Sequence, residues 1–242
     1  ILAIGVYITY KVLDFADLTV DGSLATGGAV AVMCMLNGAN TYVALILAFL
    51  AGMLAGLVTG LFHTALGIPP ILAGILTQLG LYSINMRIMG KANQAISVMQ
   101  YDVLVSLRYI PHACLLTTGF CIVIIALLYW FFGTEIGASV RATGCNPNMA
   151  RAQGINTNAT KVLGLVISNG LVGLAGALYA QYQGSADINM GRGAIVIGLA
   201  AVIIGEVVFG KIFHNFALHM VSVVIGAIIF FVVIASVLQL GL

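Results

Sequence analysis

Long apolar runs separated by short polar breaks set the pattern of this chain, and the runs match the thickness of a membrane. Roughly 20 apolar residues in a helix cross the hydrocarbon core. Ile1 to Tyr10 reads as the end of one such span, stopped by Lys11 and Asp14. Tyr42 to Phe62, Ile71 to Met86, Ala113 to Phe132, Val162 to Tyr182 and Phe216 to Leu240 each predict a further crossing. His63 to Pro70 breaks the chain, with Pro69 and Pro70 suited to the first turn of the next helix. Gly90 to Pro111, with Asp102 and Arg108, predicts an external loop carrying a short surface helix.

Two stretches depart from this pattern. The segment from Asp14 to Leu36 places Asp17, Thr19, Asp21, Ser23 and Thr26 at the head of an apolar run, beside the Gly27–Gly28 pair. Such a polar, Gly-rich entry predicts an interrupted or re-entrant segment. The run from Gly193 to Gly205 is too short for a full crossing before Glu206, and predicts a re-entrant segment or half-helix. The stretch 17–32 also lies over 187–202, matching Asp17 with Asp187, Gly28 with Gly198, Ala31 with Ala201 and Val32 with Val202. Paired interrupted segments in two halves point to a transport path built from repeats.

Composition fixes the class. At 62% hydrophobic and 7% charged residues the chain is an all-α polytopic membrane protein, with room in 242 residues for about seven or eight helices. It reads as one membrane domain over residues 1–242 whose two ends are cut, with flanking helices missing. No cleavable signal peptide is evident. The net charge of +2 is scattered and argues topology rather than nucleic-acid binding. Cys34, Cys114, Cys121 and Cys145 lack CxxC spacing and read as packed thiols, not as a disulfide framework or metal site. His63 reads as a loop residue, and His214 with His219 lacks the spacing of a zinc protease helix.

One long hydrophilic island remains, from Gly133 to Lys161, with Glu135, Arg141, Arg151 and Lys161. Gly144, Pro147 and Gly154 break it into a short helix between turns, of a size to lie on the membrane surface and fit a groove on another subunit. Its basic excess places it in the cytoplasm by the positive-inside rule, with Arg87, Lys91 and Arg108 then outside. An ordinary cytoplasmic loop is the simpler alternative. The chain has no GxxxxGK[ST] motif, so it does not hold ATP in a P-loop.

Candidates for the pathway are Thr19, Asp21, Ser23 and Thr26 in the first unusual segment and Asn189, Met190 and Glu206 in the second. Capping of turns by the polar residues, and pairing of Glu206 with Lys211 or Arg192, are the structural alternatives. An ion-coupled secondary transporter or channel accommodates the same repeat and acid. An intramembrane serine protease using Ser23 lacks a GxSxG setting.

The island's order Arg141-Ala142-Thr143-Gly144, Asn146, Met149-Ala150-Arg151, Gly154-Ile155-Asn156 resembles the cytoplasmic coupling segment of ATP-binding cassette importer permeases of the branched-chain amino acid and ribose family. The stretch from Val12 to Ser23 looks like the tryptophan and tyrosine uptake branch. The resemblance implies coupling to an ATPase through residues 133–161, including Glu135 and Pro147. It also implies ATP and Mg held by that ATPase, none in this chain, and a transport subunit rather than an enzyme. Further partners so implied are a second permease subunit, an extracytoplasmic substrate-binding protein and membrane lipid, in the bacterial cytoplasmic membrane. The implied cargo is a small polar solute, an amino acid of the aromatic kind, with sugar or nucleoside as the alternative.

Overall fold

The computed structural model describes residues 1–96, 104–105, 110–210 and 215–240. Helix α1, Leu2–Tyr7, runs on through a π-helical turn, Ile8–Val12, and stops before a break at 13–18 in which Asp14 takes φ 51°. Then come α2 (Thr19–Leu36), α3 (Thr41–Thr64) and α4 (Pro70–Met89). After α5 (Ile110–Gly133) two short helices, α6 (Glu135–Cys145) and α7 (Pro147–Ala152), make up the island. The chain finishes with α8 (Thr157–Gln183), α9 (Ala194–Phe209) and α10 (Phe216–Gln239).

Among the described residues, six helices are long and apolar enough to cross a membrane: α2, α3, α4, the Ala113–Gly133 part of α5, α8 and α10. Helix α9, at 16 residues, extends only about 24 Å, short of the hydrocarbon core. The anticipated half-helix is therefore present. In the first unusual segment the interruption falls at 13–18, ahead of α2. Gly27 and Gly28 leave α2 continuous and instead let it approach its neighbours closely.

Helices α2 and α8 form the centre of the bundle: 72% and 67% of their apolar windows are buried, against 17% in α5 and in α10. Small residues explain that packing, because they let backbones meet with little lipid between them. Gly27 faces the backbone of Gly173, and Gly52 and Gly56 of α3 face the carbonyls of Asn169 and Leu165. Two strands, β1 (Asn93–Ala95) and β2 (Ser185–Asp187), pair antiparallel and tie the end of α4 to the end of α8.

The sequence echo has a structural counterpart. Helices α8, α9 and α10 repeat the order of α1, α2 and α3, and each half's second helix packs on the first helix of the other half, α2 on α8 and α9 on α1. Both copies open on the same turn: Thr19 N donates to Asp17 Oδ1 (2.9 Å), and Asn189 N donates to Asp187 Oδ1 (2.7 Å). Asp21 and Gly191, which occupy matching positions in the two stretches, pack directly against each other.

Three expectations change. His63 sits in the last turn of α3, not in a loop, and its Nδ1 lies 2.9 Å from the Ile68 carbonyl. Within the external loop 93–95 forms a strand, because its backbone finds a partner in 185–187; the expected surface helix, with Asp102 and Arg108, falls on residues outside those described. Gly144 does not end a helix but lies inside α6, and the break comes at Asn146.

Candidate functional site

Each helix of the island carries a side-chain cap at its head, as does α8 after it. Thr134 Oγ1 accepts from Gly137 N at the head of α6, Asn146 Oδ1 accepts from Asn148 N and Met149 N (3.1 Å each) at the head of α7, and Asn156 Oδ1 accepts from Asn158 N and Ala159 N (3.2 Å each) at the head of α8. Such side-chain oxygens satisfy the free N–H groups of a first turn. Pro147, lacking an N–H, suits the first position of α7. Gly154 turns the chain between α7 and α8 at φ 81°, and Ile155 N donates back to the Ala150 carbonyl (3.0 Å).

The island's inner side is fastened to the bundle. Gly144 packs on the backbone of Val12, where any side chain would collide. Thr143 Oγ1 and Thr160 Oγ1 share a hydrogen bond of 2.8 Å, and Ala150 is buried. Arg151 Nε donates to Thr157 Oγ1 (2.7 Å), and the Arg141 guanidinium stacks 5.6 Å over the Phe216 ring. The outer side presents Glu135, Ala142, Asn146, Pro147, Arg151 and Asn156 in exposed positions, with Met149 63% and Ile136 57% exposed. A charged surface with two protruding apolar side chains on a pre-ordered frame has the anatomy of a protein-docking face.

Glu206 belongs to this end of the molecule. Its carboxylate pairs with Lys11 Nζ at 3.2 Å, joining the foot of α9 to the foot of α1. Of the two partners the sequence offers, Arg192 sits at the opposite end of α9, and Lys211 lies outside the described residues. Lys11, Asp14, Gly144, Cys145 and Glu206 together line a cleft of about 400 Å³. Lys161, near the start of α8, places its Nζ 3.4 Å from His63 Nε2.

The remaining pathway candidates separate into two groups. Thr19 and Ser23 are buried in a polar network inside the bundle. Ser23 Oγ donates to Asn169 Oδ1 (2.6 Å), and Asn169 Nδ2 donates to Asp17 Oδ2 (2.6 Å). Thr19 Oγ1 meets Thr59 Oγ1 (2.7 Å), which donates to Thr77 Oγ1 (2.9 Å). Thr26 Oγ1 donates to the Gly22 carbonyl and borders an apolar cavity between α2, α3 and α4. At the head of α9, Asp21 Oδ2 accepts from Gly193 N (3.1 Å) and Oδ1 from Ile195 N (2.9 Å). Asn189 is exposed on the turn before α9, and the Met190 sulfur lies against Gly28. From the head of α9 at Ala194 to Glu206 is about 18 Å along the helix, so the structure does not bring Asp21 and Glu206 into one site.

Sequence reading passed over Asn169, Thr59 and Thr77 in this network. Their signal was polarity inside runs otherwise apolar, where a side chain needs an internal partner. Lys11 gave no such signal, since its partner is remote in sequence.

Comparison with known proteins gives consistent results. The family described as branched-chain amino acid transport system permease component matches residues 1–241. A tyrosine transport system permease protein of Clostridioides difficile (strain R20291) is 40% identical over 242 residues, covering 100% of this chain and 80% of that protein. A nucleoside transporter permease protein, NupC of Lactococcus lactis subsp. cremoris (strain MG1363), is 37% identical over 91 residues, 36% of this chain and 29% of that protein. The autoinducer 2 import system permease protein LsrC of Yersinia pseudotuberculosis serotype O:1b (strain IP 31758) is 29% identical over 215 residues, 86% of this chain and 58% of that protein. No solved structure matches at a significant level.

Proposed function

We propose a specific transport role from one premise: this chain belongs to the permease family of branched-chain amino acid transport systems. It acts as the transmembrane subunit of an ATP-binding cassette importer in the bacterial cytoplasmic membrane and carries an amino acid of the aromatic class. The likeness over the whole chain to a tyrosine transport permease carries the choice of cargo. Two permease subunits sit over two ATPase subunits, which hold ATP and Mg, and an extracytoplasmic binding protein delivers the ligand.

The capped island supports the coupling part of this reading. A subunit without its own nucleotide site needs a face through which force arrives, and α6 and α7 present a pre-ordered one. Gly144 on Val12 and Glu206 on Lys11 join that face to α1 and α9, so a push on α6 reaches the helices that border the interior. The buried Ser23–Asn169–Asp17 links would let α2 and α8 move as one body.

The test is uptake of radiolabelled L-tyrosine into proteoliposomes holding this chain with the ATPase and binding protein of the importer, with uridine and ribose as competitors. ATP-dependent accumulation, competed by L-tryptophan and not by uridine or ribose, is the result expected. Accumulation driven by an ion gradient without the ATPase overturns the reading.

A further inference from the structure

A second polar feature lies away from the island. Between α2, α4 and the turn that leads into α9 is a pocket of about 350 Å³, lined by Asp21, Gln78, Leu79, Tyr82, Asn85 and Arg192. That volume is in the range of small-molecule sites. Three observations distinguish it from a packing defect.

The first is charge. Asp21 and Arg192 border the same pocket but form no ion pair with each other, while Lys11 and Glu206 do pair elsewhere among the described residues. Each Asp21 oxygen accepts one backbone N–H, leaving further lone pairs free. The Arg192 guanidinium has no hydrogen-bond partner among the described residues, although it carries five donors.

The second is an orphaned amide. Asn85 is 0% exposed, lines the pocket, and neither its Oδ1 nor its Nδ2 finds a partner among the described residues. A buried amide left unpaired is costly, so a turn of the side chain that brings it onto a group bound in the pocket is favoured. Gln78 adds a second amide on the same helix two turns earlier.

The third is the wall. Tyr82 and Leu79 add an aromatic and an aliphatic surface beside the polar groups. An acid, a base and an orphaned amide next to apolar side chains are the kinds of group that an α-amino acid calls for. Its carboxylate suits a planar guanidinium, its ammonium suits a carboxylate and an amide oxygen, and its side chain suits the apolar wall.

We propose that this pocket is a binding station for a zwitterionic α-amino acid within the permease itself, with the substrate carboxylate on Arg192 and its ammonium on Asp21 and the Asn85 oxygen. The proposal rests on the amino-acid reading above and adds a site to it. It gives the permease its own discrimination between zwitterions and uncharged sugars or nucleosides, since only a zwitterion satisfies both charges.

The experiment is equilibrium binding of L-tyrosine, L-tryptophan and L-leucine to the full chain in lipid nanodiscs, with no binding protein present. Tyramine, lacking the carboxylate, and 3-(4-hydroxyphenyl)propionate, lacking the ammonium, serve as probes of each charge. Saturable binding of at least one of the amino acids is expected, with each analogue of tyrosine at least tenfold weaker than tyrosine. Arg192→Gln weakens binding at least tenfold; its exposed, unpartnered side chain makes a folding defect avoidable. Asn85→Leu, which removes the orphaned amide, also weakens binding while the melting temperature holds or rises. No saturable amino-acid binding, or equal binding by the wild type and Arg192→Gln, overturns the site. The parent reading is scored separately: ATP-driven L-tyrosine uptake with wild-type KM in Arg192→Gln removes the site and leaves the importer standing, whereas uptake confined to uridine or ribose removes both.

Discussion

Gly27 of α2 and Gly173 of α8 meet backbone to backbone, with no room between them for a Cβ. The two most buried of the six long helices are held together there. Gly27→Val forces them apart and should lower stability by about 1–3 kcal/mol, the usual range for overpacking. Gly119 of α5 has nothing within 4 Å of a Cβ added there. Gly119→Ala should leave stability unchanged or raise it by up to about 1 kcal/mol. Thermal unfolding of both variants in detergent checks the contrast.

Asn169 stands between Ser23 and Asp17, and it serves both with hydrogen bonds of 2.6 Å. Asn169→Leu leaves the Ser23 hydroxyl and one Asp17 oxygen without these partners inside the bundle. A loss of about 1–3 kcal/mol follows from stranding buried polar groups. Adding Ser23→Ala to Asn169→Leu removes one stranded group and should recover part of the loss. A double-mutant cycle measures that coupling; additive losses would contradict the arrangement.

The Lys11–Glu206 pair makes the opposite prediction. Its side chains are 53% and 25% exposed, so screening by water keeps its worth to about 0–1 kcal/mol. Glu206→Gln should barely move the melting temperature. Its effect should appear in transport, because the pair joins α1 to α9 beside the island. The charge-swapped pair Lys11→Glu with Glu206→Lys should restore what either single reversal loses, read as the ratio of solute moved to ATP hydrolysed.

Capping holds the island's shape. Asn146→Ala removes the acceptor at the head of α7 and should cost about 0.5–2 kcal/mol locally. Gly154→Val places a β-branched residue at φ 81° and adds about 1–2 kcal/mol of backbone strain. Both should leave the membrane core folded while increasing hydrogen exchange in 146–158, checked by mass spectrometry.

How far the sequence reveals this architecture depends on the kind of interaction. Apolar runs bounded by Pro69–Pro70 or by Trp130–Phe132 place helices within a few residues, since crossing a membrane demands length and hydrophobicity that composition displays directly. The repeat was visible in few identities, and the structure supplies the reason for its clearest one: Asp17 and Asp187 make the same turn two residues ahead. The island's extent is legible, as are its breaks at Pro147 and Gly154, but Gly144 lies inside α6 and Asn146 caps the helix after it. A glycine inside a helix and a glycine ending one look alike until the packing partner, here Val12, is known. Pairings between remote residues, such as Lys11 with Glu206 or Ser23 with Asn169, leave no trace in a single sequence because nothing local sets their distance. The Asp21–Arg192 pocket was hidden for the same reason, although Asp21 itself stood out as an acid ahead of an apolar run.

The central claim is that force from an ATPase enters through the exposed face of α6 and α7. Its most direct test is the stoichiometry of ATP hydrolysis to L-tyrosine uptake in proteoliposomes holding the complete importer, for the wild type and for Met149→Glu. Met149 protrudes from α7 with 63% of its surface exposed, so folding and membrane insertion should be unaffected. At least a tenfold fall in uptake, with weakened retention of the ATPase on the purified permease, is expected. Wild-type uptake and wild-type retention in Met149→Glu, and equally in Ile136→Glu, would contradict it.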